Sequence, residues 1–174
     1  MLLRQLAKPP GRLCETSGGN ERGFSTNGEL FLKSGVTMNH EAIEGGCLCG
    51  AVRYRTLGNR CEATHCHCQT CRKSSTAPFV SWVTFTVAAF AFIKGKPLEY
   101  ASSSRVVRSF CGRCGTPLTY CHDSRPDLID VTVCSLDQPD LITPLDHIWT
   151  QYQLGFIKLA DDLPRYERLR KPQG

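Results

Sequence analysis

The run Cys66-His67-Cys68-Gln69-Thr70-Cys71 places three thiols within six residues. In an extended segment, side chains two apart share a face, so Cys66 and Cys68 can point the same way. A short turn through Gln69 and Thr70 then returns Cys71 to the same point. Three sulfurs gathered in this way suit Zn²⁺ in size and softness. No fourth cysteine follows at metal-ligand spacing. Structural zinc normally takes four protein ligands, whereas three ligands and an open fourth place are the usual form of a catalytic zinc. Cys66, Cys68 and Cys71 are therefore read both as metal ligands and as the catalytic corner.

Such a corner favours a particular chemistry. With water as fourth ligand, three thiolates and one Zn²⁺ leave a net negative charge, so the ion is a poorer Lewis acid than one held by histidines. It suits a soft ligand, and a thiol that coordinates zinc is deprotonated. The activated sulfur could add to a small carbonyl, or the reverse step could cleave a carbon–sulfur bond.

A second set of thiols is spread along the chain. Cys47-Leu48-Cys49 stands between Gly46 and Gly50, and Cys111-Gly112-Arg113-Cys114 precedes Gly115. Glycine permits the tight backbone of a zinc knuckle, whose N–H groups donate to the thiolates. Cys47, Cys49, Cys111 and Cys114 together make a closed structural zinc site that staples the start of the domain to its middle. The expected cofactor is zinc, two ions per chain. A redox C-x-x-C is the rival reading, but no βαβ pattern surrounds it. Disulfide pairing is the other. Seven of the eleven cysteines fall in tight groups, which reads as metal binding in a reducing compartment, hence the cytoplasm. Cys121 and Cys134 read as small core hydrophobes, and Cys14 as a bystander.

The elements that must position these groups are short. Ala51–Thr56 alternates apolar and polar as a half-buried strand, and Glu62–His65 leads as a strand into the three-cysteine corner. Gly58-Asn59 reads as a turn, and Arg72–Ser75 as a short helical turn. Pro78–Val87, rich in β-branched and aromatic residues, predicts a central strand. Phe90–Ile93, Leu98–Tyr100 and Val106–Phe110 continue the pattern. Thr116–Tyr120 is expected at a sheet edge, Leu128–Cys134 as a buried strand, and the charged tail from Asp161 as solvated. Long 3.6-residue periodicity is absent, so the class is mostly β, built from small antiparallel sheets with few helical turns. The 174 residues, 41% hydrophobic, suffice for one domain with a core. Residues 1–37, with Pro9-Pro10 and scattered glycines, read as a flexible extension, and 38–174 as the zinc-binding domain. An alternative is that the natural domain begins at Met38. Neither a membrane span nor a secretory signal stands out, and a formal net charge of +5 does not argue for nucleic acid.

Gly46-Cys47-Leu48-Cys49-Gly50, Cys66-His67-Cys68-Gln69-Thr70-Cys71-Arg72, the FCGRCGTP run at 110–117 and His147-Ile148-Trp149-Thr150 occur in that order. This pattern resembles the glutathione-dependent formaldehyde-activating enzyme family, also called the centromere protein V/GFA domain, over residues from about 40 to 166. The resemblance implies a tent-like all-β zinc fold. It matches Cys47, Cys49, Cys111 and Cys114 to the family's structural zinc, and Cys66, Cys68 and Cys71 to its catalytic zinc. It implies an enzyme, a carbon–sulfur lyase resembling S-(hydroxymethyl)glutathione synthase, with a small thiol such as glutathione and a small aldehyde as partners. After HIWT, where the family commonly carries a basic residue and Pro-Trp, this chain has Gln153, Gly155 and Phe156. A function of another class stands beside it: a non-catalytic zinc module that binds protein or nucleic acid through a basic face. A closed fourth position at the three-cysteine corner would favour that second function.

Other residues admit two readings each. His65 and His67 flank the ligands and could complete the zinc or move a proton, but alternation is expected to turn both away. Arg53, Arg55, Arg72, Lys73, Arg105 and Arg108 could pair with the carboxylates of a glutathione-like ligand, or be ordinary surface. His147 reads as packed beside Trp149. Trp82, Phe85, Phe90 and Phe92 read as core.

Overall fold

The computed structural model describes residues 42–57 and 62–170. The flexible extension expected at 1–37, Cys14 and the Gly58-Asn59 turn lie outside these residues. Ten strands and one short helix follow in order: β1 (Ile43–Gly46), β2 (Arg53–Thr56), β3 (Ala63–Cys66), α1 (Gln69–Ser75), β4 (Val80–Thr86), β5 (Phe90–Lys94), β6 (Leu98–Ser103), β7 (Val106–Phe110), β8 (Pro117–His122), β9 (Leu128–Thr132) and β10 (His147–Ile148). The molecule is mostly β, as expected. A three-stranded sheet has the order β1-β2-β5, and a seven-stranded sheet the order β10-β3-β4-β9-β8-β7-β6. All pairings are antiparallel except β10 on β3.

Alternation explains the elements. In β2, Tyr54 and Thr56 are buried while Arg53 and Arg55 are half-buried. β4 lies inside the large sheet between β3 and β9, and its Trp82, Val83 and Phe85 are buried. The main core joins Tyr54, Phe90, Val83, Phe85, Leu118, Ile129 and Val131 across the two sheets. Each large apolar side chain removed from water stabilises the fold by about 1.5–3 kcal/mol. The small sheet is also tied down by polar contacts. Tyr54 Oη lies 2.6 Å from Ser135 Oγ, and Arg53 reaches Asp137 with Nη1 at 2.7 Å. At Gly45, a Cβ would stand 2.3 Å from Tyr54 Oη and 2.5 Å from the Ser135 carbonyl, so only glycine lets β1 approach so closely.

Four expectations are corrected. β8 is interior, between β7 and β9, because β9 covers the side expected to be open; the edges are β10 and β6. The strand expected to run to Cys134 ends at Thr132, and a 3₁₀ turn over Val133–Ser135 leaves Cys134 exposed rather than in the core. Cys121 is buried as expected, but it is disulfide-bonded rather than a free core thiol. The tail is not merely solvated. The His147 N–H donates to the Pro164 carbonyl at 2.8 Å, the Tyr166 N–H to the His147 carbonyl at 2.8 Å, and the Trp149 N–H to the Arg168 carbonyl at 3.0 Å. A two-residue edge strand has backbone groups that need partners, and the tail supplies them.

Candidate metal centres

The knuckle at Cys111–Cys114 closes on itself. The Cys111 N–H donates to the Thr116 carbonyl at 3.0 Å and the Gly115 N–H to the Cys111 carbonyl at 2.8 Å. Gly115 has φ +76°, a conformation that side chains rarely adopt. The β1–β2 connection brings Cys47 and Cys49 to the same place, and the four sulfurs lie within 4.8 Å of one another. Cys47 Sγ to Cys49 Sγ is 3.6 Å, and Cys49 Sγ to Cys111 Sγ is 3.8 Å. Zn–S bonds of about 2.3 Å in a tetrahedron require sulfurs ~3.8 Å apart, so this cluster fits such an ion. The Val52 N–H donates to Cys47 Sγ at 3.2 Å. Hydrogen bonds from the Thr116 hydroxyl and backbone bring the Cys114 thiol down to about 5.

Cys66, Cys68 and Cys71 form the second cluster, with their sulfurs also within 4.8 Å of one another. Cys66 ends β3. Cys68 is the N-cap of α1, its sulfur accepting from the Cys71 N–H at 3.3 Å. Cys71 is buried in the first turn. Of the three, only Cys68 is partly exposed. Contacts with Cys66 and then Cys71 hold the Cys68 thiol down at about 2, while contact with Cys68, then Cys71, pushes Cys66 far up. Among the described residues no His, Asp or Glu donor joins these three in the cluster. A soft, three-sulfur donor set with one partly exposed member is suited to zinc and supplies one ligand fewer than a closed tetrahedral site.

The histidines beside the corner pack with one another rather than with the sulfurs. His67 Nε2 lies 2.9 Å from His147 Nδ1, and His147 Nε2 lies 3.1 Å from Asp161 Oδ2. His65 Nδ1 lies 2.8 Å from Ser81 Oγ. The His147 ring is tilted against His65 and His67 and meets Phe79 edge-on. Burial, reinforced by His147, lowers the His67 pKa to about 4. If Asp161 accepts from His147 Nε2–H, then His147 Nδ1 accepts from His67 Nε2–H, and one tautomer is fixed along the chain.

The cationic candidates fall into three groups. Arg53 and Arg55 pair with Glu44, Arg53 also with Asp137, and Arg105 with Asp123. Arg72 and Lys73 line a groove of about 560 Å³ along α1, with Gln69, Pro78, Leu154 and Phe156. Arg72 stands one helical turn after Cys68, its N–H donating to the Cys68 carbonyl at 3.0 Å. Arg108 is buried at the corner itself, with Nη2 3.6 Å from Cys71 Sγ. Trp82, Val80, Tyr120, Ile148 and Trp149 pack around the same sulfurs. Asp161 was missed in the sequence, where it lies in a charged run far from the cysteines.

Fold and clusters together define a mostly β protein with two cysteine groups that could each hold a metal ion. The family model for the glutathione-dependent formaldehyde-activating enzyme matches residues 42–152, and the chain belongs to that family. An uncharacterized lyase of Schizosaccharomyces pombe is 32% identical over 112 residues, covering 56% of this chain and 81% of its own length. A crystal structure of a Rhodobacter sphaeroides protein is 24% identical, with a TM-score of 0.48, covering 58% of this chain and 96% of its own. No helix among the described residues is long and apolar enough to cross a membrane.

Proposed function

We propose that this chain is a zinc-dependent carbon–sulfur lyase acting on thiol–aldehyde adducts, similar to S-(hydroxymethyl)glutathione synthase. The observation that carries the reading is the three-sulfur corner, with Cys68 accessible, in a chain of this family. Cys66, Cys68 and Cys71 would hold the catalytic ion, and Cys47, Cys49, Cys111 and Cys114 the structural one. Zinc at the corner would favour the thiolate form of a substrate thiol at neutral pH. The protein's own residues supply the rest. The groove along α1, which is lined from Gln69 onward and by none of the three cysteines, would offer Arg72 and Lys73 to the carboxylates of a glutathione-like thiol, and Phe156 and Leu154 to its apolar parts. The Asp161–His147–His67 chain holds the loop that carries Cys66 and Cys68 in one geometry. In the synthetic direction the sulfur joins the carbonyl carbon, and the thiol's proton ends on the carbonyl oxygen. The reverse step breaks the same bond. All seven cluster thiols are free, as metal ligands in a reducing cytoplasm would be, whereas Cys121 is disulfide-bonded.

The test is turnover of zinc-loaded protein with a panel of thiols and small aldehydes, joined to calorimetry with glutathione and its S-methyl derivative. Glutathione is expected to bind and the S-methyl derivative to bind at least about tenfold more weakly, as loss of an outer contact to a metal site already costs that much. Equal binding of the two would remove the role given to the sulfur. A protein without thiol-dependent turnover or binding would instead be the non-catalytic zinc module.

A further inference from the structure

Among the described residues, Arg108 is a buried cation without an acidic partner. It is 7% exposed. None of the ion pairs among the described residues includes it. Removing a guanidinium from water is costly unless a counter-charge and hydrogen bonds compensate. Three contacts hold this one in place. Nε donates to Ser102 Oγ at 3.3 Å, Nη2 points to Cys71 Sγ at 3.6 Å, and the guanidinium carbon lies 4.8 Å from the centre of the Tyr120 ring. In the sheet register Arg108 on β7 stands between Tyr100 on β6 and Tyr120 on β8. The side chain is thus gripped by its own sheet and aimed at the sulfur corner, and among the described residues the ionisable acid group it contacts there is Cys71 Sγ.

We propose that Arg108 is the counter-charge of the three-cysteine corner and the residue that makes it select an anionic fourth ligand. The inference rests on the reading of that corner as a zinc site. Three thiolates and a divalent ion sum to one negative charge, and an incoming thiolate doubles it. A fixed guanidinium beside Cys71 offsets that accumulation, which a neutral ligand such as imidazole does not create. Arg108 therefore favours thiolates over neutral donors of similar size. Its place is distinct from the groove at Arg72 and Lys73, which would read the remainder of the substrate.

The experiment uses full-length zinc-loaded protein and its Arg108→Gln, Arg108→Lys and Ser102→Ala variants. Zinc stoichiometry and affinity are read by competition with a colorimetric chelator. Cobalt-substituted protein is titrated with 2-mercaptoethanol and, separately, with imidazole, following the sulfur-to-cobalt absorption. In Arg108→Gln, one of the two ions should be held about 10- to 100-fold more weakly, the range found when an outer-shell partner is removed, and the other as in wild type. Affinity for 2-mercaptoethanol should fall by a similar factor and that for imidazole should not. Arg108→Lys should recover most of the loss. Ser102→Ala, which frees Nε but leaves the charge, should weaken thiol binding in the same selective way, and it carries the test if Arg108→Gln does not fold. Variants that match wild type, or that lose thiol and imidazole equally, overturn the proposal. Wild-type protein binding a single zinc would overturn the metal reading of the corner and this inference with it; two zinc ions with an unaffected Arg108→Gln would overturn the inference alone.

Discussion

Cys111 is 1% exposed, and its sulfur meets that of Cys49 from 62 residues earlier in the chain. Cys68 is half-exposed, and its ligand partners are its near neighbours. Replacing Cys111 by Ser should destabilise the protein by on the order of several kcal/mol, because binding at a structural zinc site is itself folding free energy. Replacing Cys68 by Ser should cost less than about 1 kcal/mol, because serine is a good N-cap and can still accept from the Cys71 N–H. Thermal unfolding followed by circular dichroism, with zinc analysis of each variant, checks both. A Cys111→Ser protein as stable as wild type would count against the structural site. At this scale the cysteine groups were legible in the sequence, because ligand spacing is local. The arginines were not: Arg53, Arg55 and Arg105 are engaged by their own acids, and only the fold separates them from Arg108.

Among the elements, the small sheet depends on the large one. β2 carries Tyr54, whose hydroxyl meets Ser135 Oγ; Ser135 Oγ in turn donates to the Thr132 carbonyl at 2.8 Å, at the end of β9. Tyr54→Phe keeps the ring against Phe90 and leaves Ser135 with other partners. The expected loss is about 1 kcal/mol, the net worth of one hydrogen bond, read as a lower urea midpoint at unchanged slope. A loss several times larger would mean that the hydroxyl organises more than this contact. Strand identity was readable from alternation and β-branched runs, as in β4. The placing of β8 was not, since nothing in Pro117–His122 says that Leu128–Thr132 will cover its second edge. The tail's pairing with β10 was likewise hidden, because the need for a partner belongs to the edge strand rather than to the tail.

For the whole molecule, the two clusters differ in how they are tied to the fold. Cys47, Cys49, Cys111 and Cys114 join two distant chain segments, so release of an ion there should require opening the structure. Cys66, Cys68 and Cys71 are local and supply one ligand fewer; exposure does not separate the clusters, since Cys49 of the other is itself exposed, so the contrast rests on chain separation and ligand number. Chelation of zinc-loaded protein should therefore run in two phases, a fast one with the fold intact and a slow one that tracks unfolding. Excess thiol should alter the fast phase alone. Zinc release followed by a dye, with circular dichroism on the same sample, makes the comparison. A single phase, or a fast phase indifferent to thiol, would sink the distinction between one open and one closed site.

The two cysteine groups, the family and the mostly β class were legible in the sequence, because each rests on residue type and short-range spacing: C-x-C, C-x-x-C, and alternation in period two. Tertiary structure alone decided which cations face the sulfurs, that Asp161 reaches His147, and that Cys121 is bonded while Cys134 is exposed. The physical reason is separation along the chain. Asp161 is 14 residues from His147, and Arg108 is 37 from Cys71. Such pairs meet only when sheet register and tail docking bring them together, and neither register nor docking is written in the local pattern of either partner.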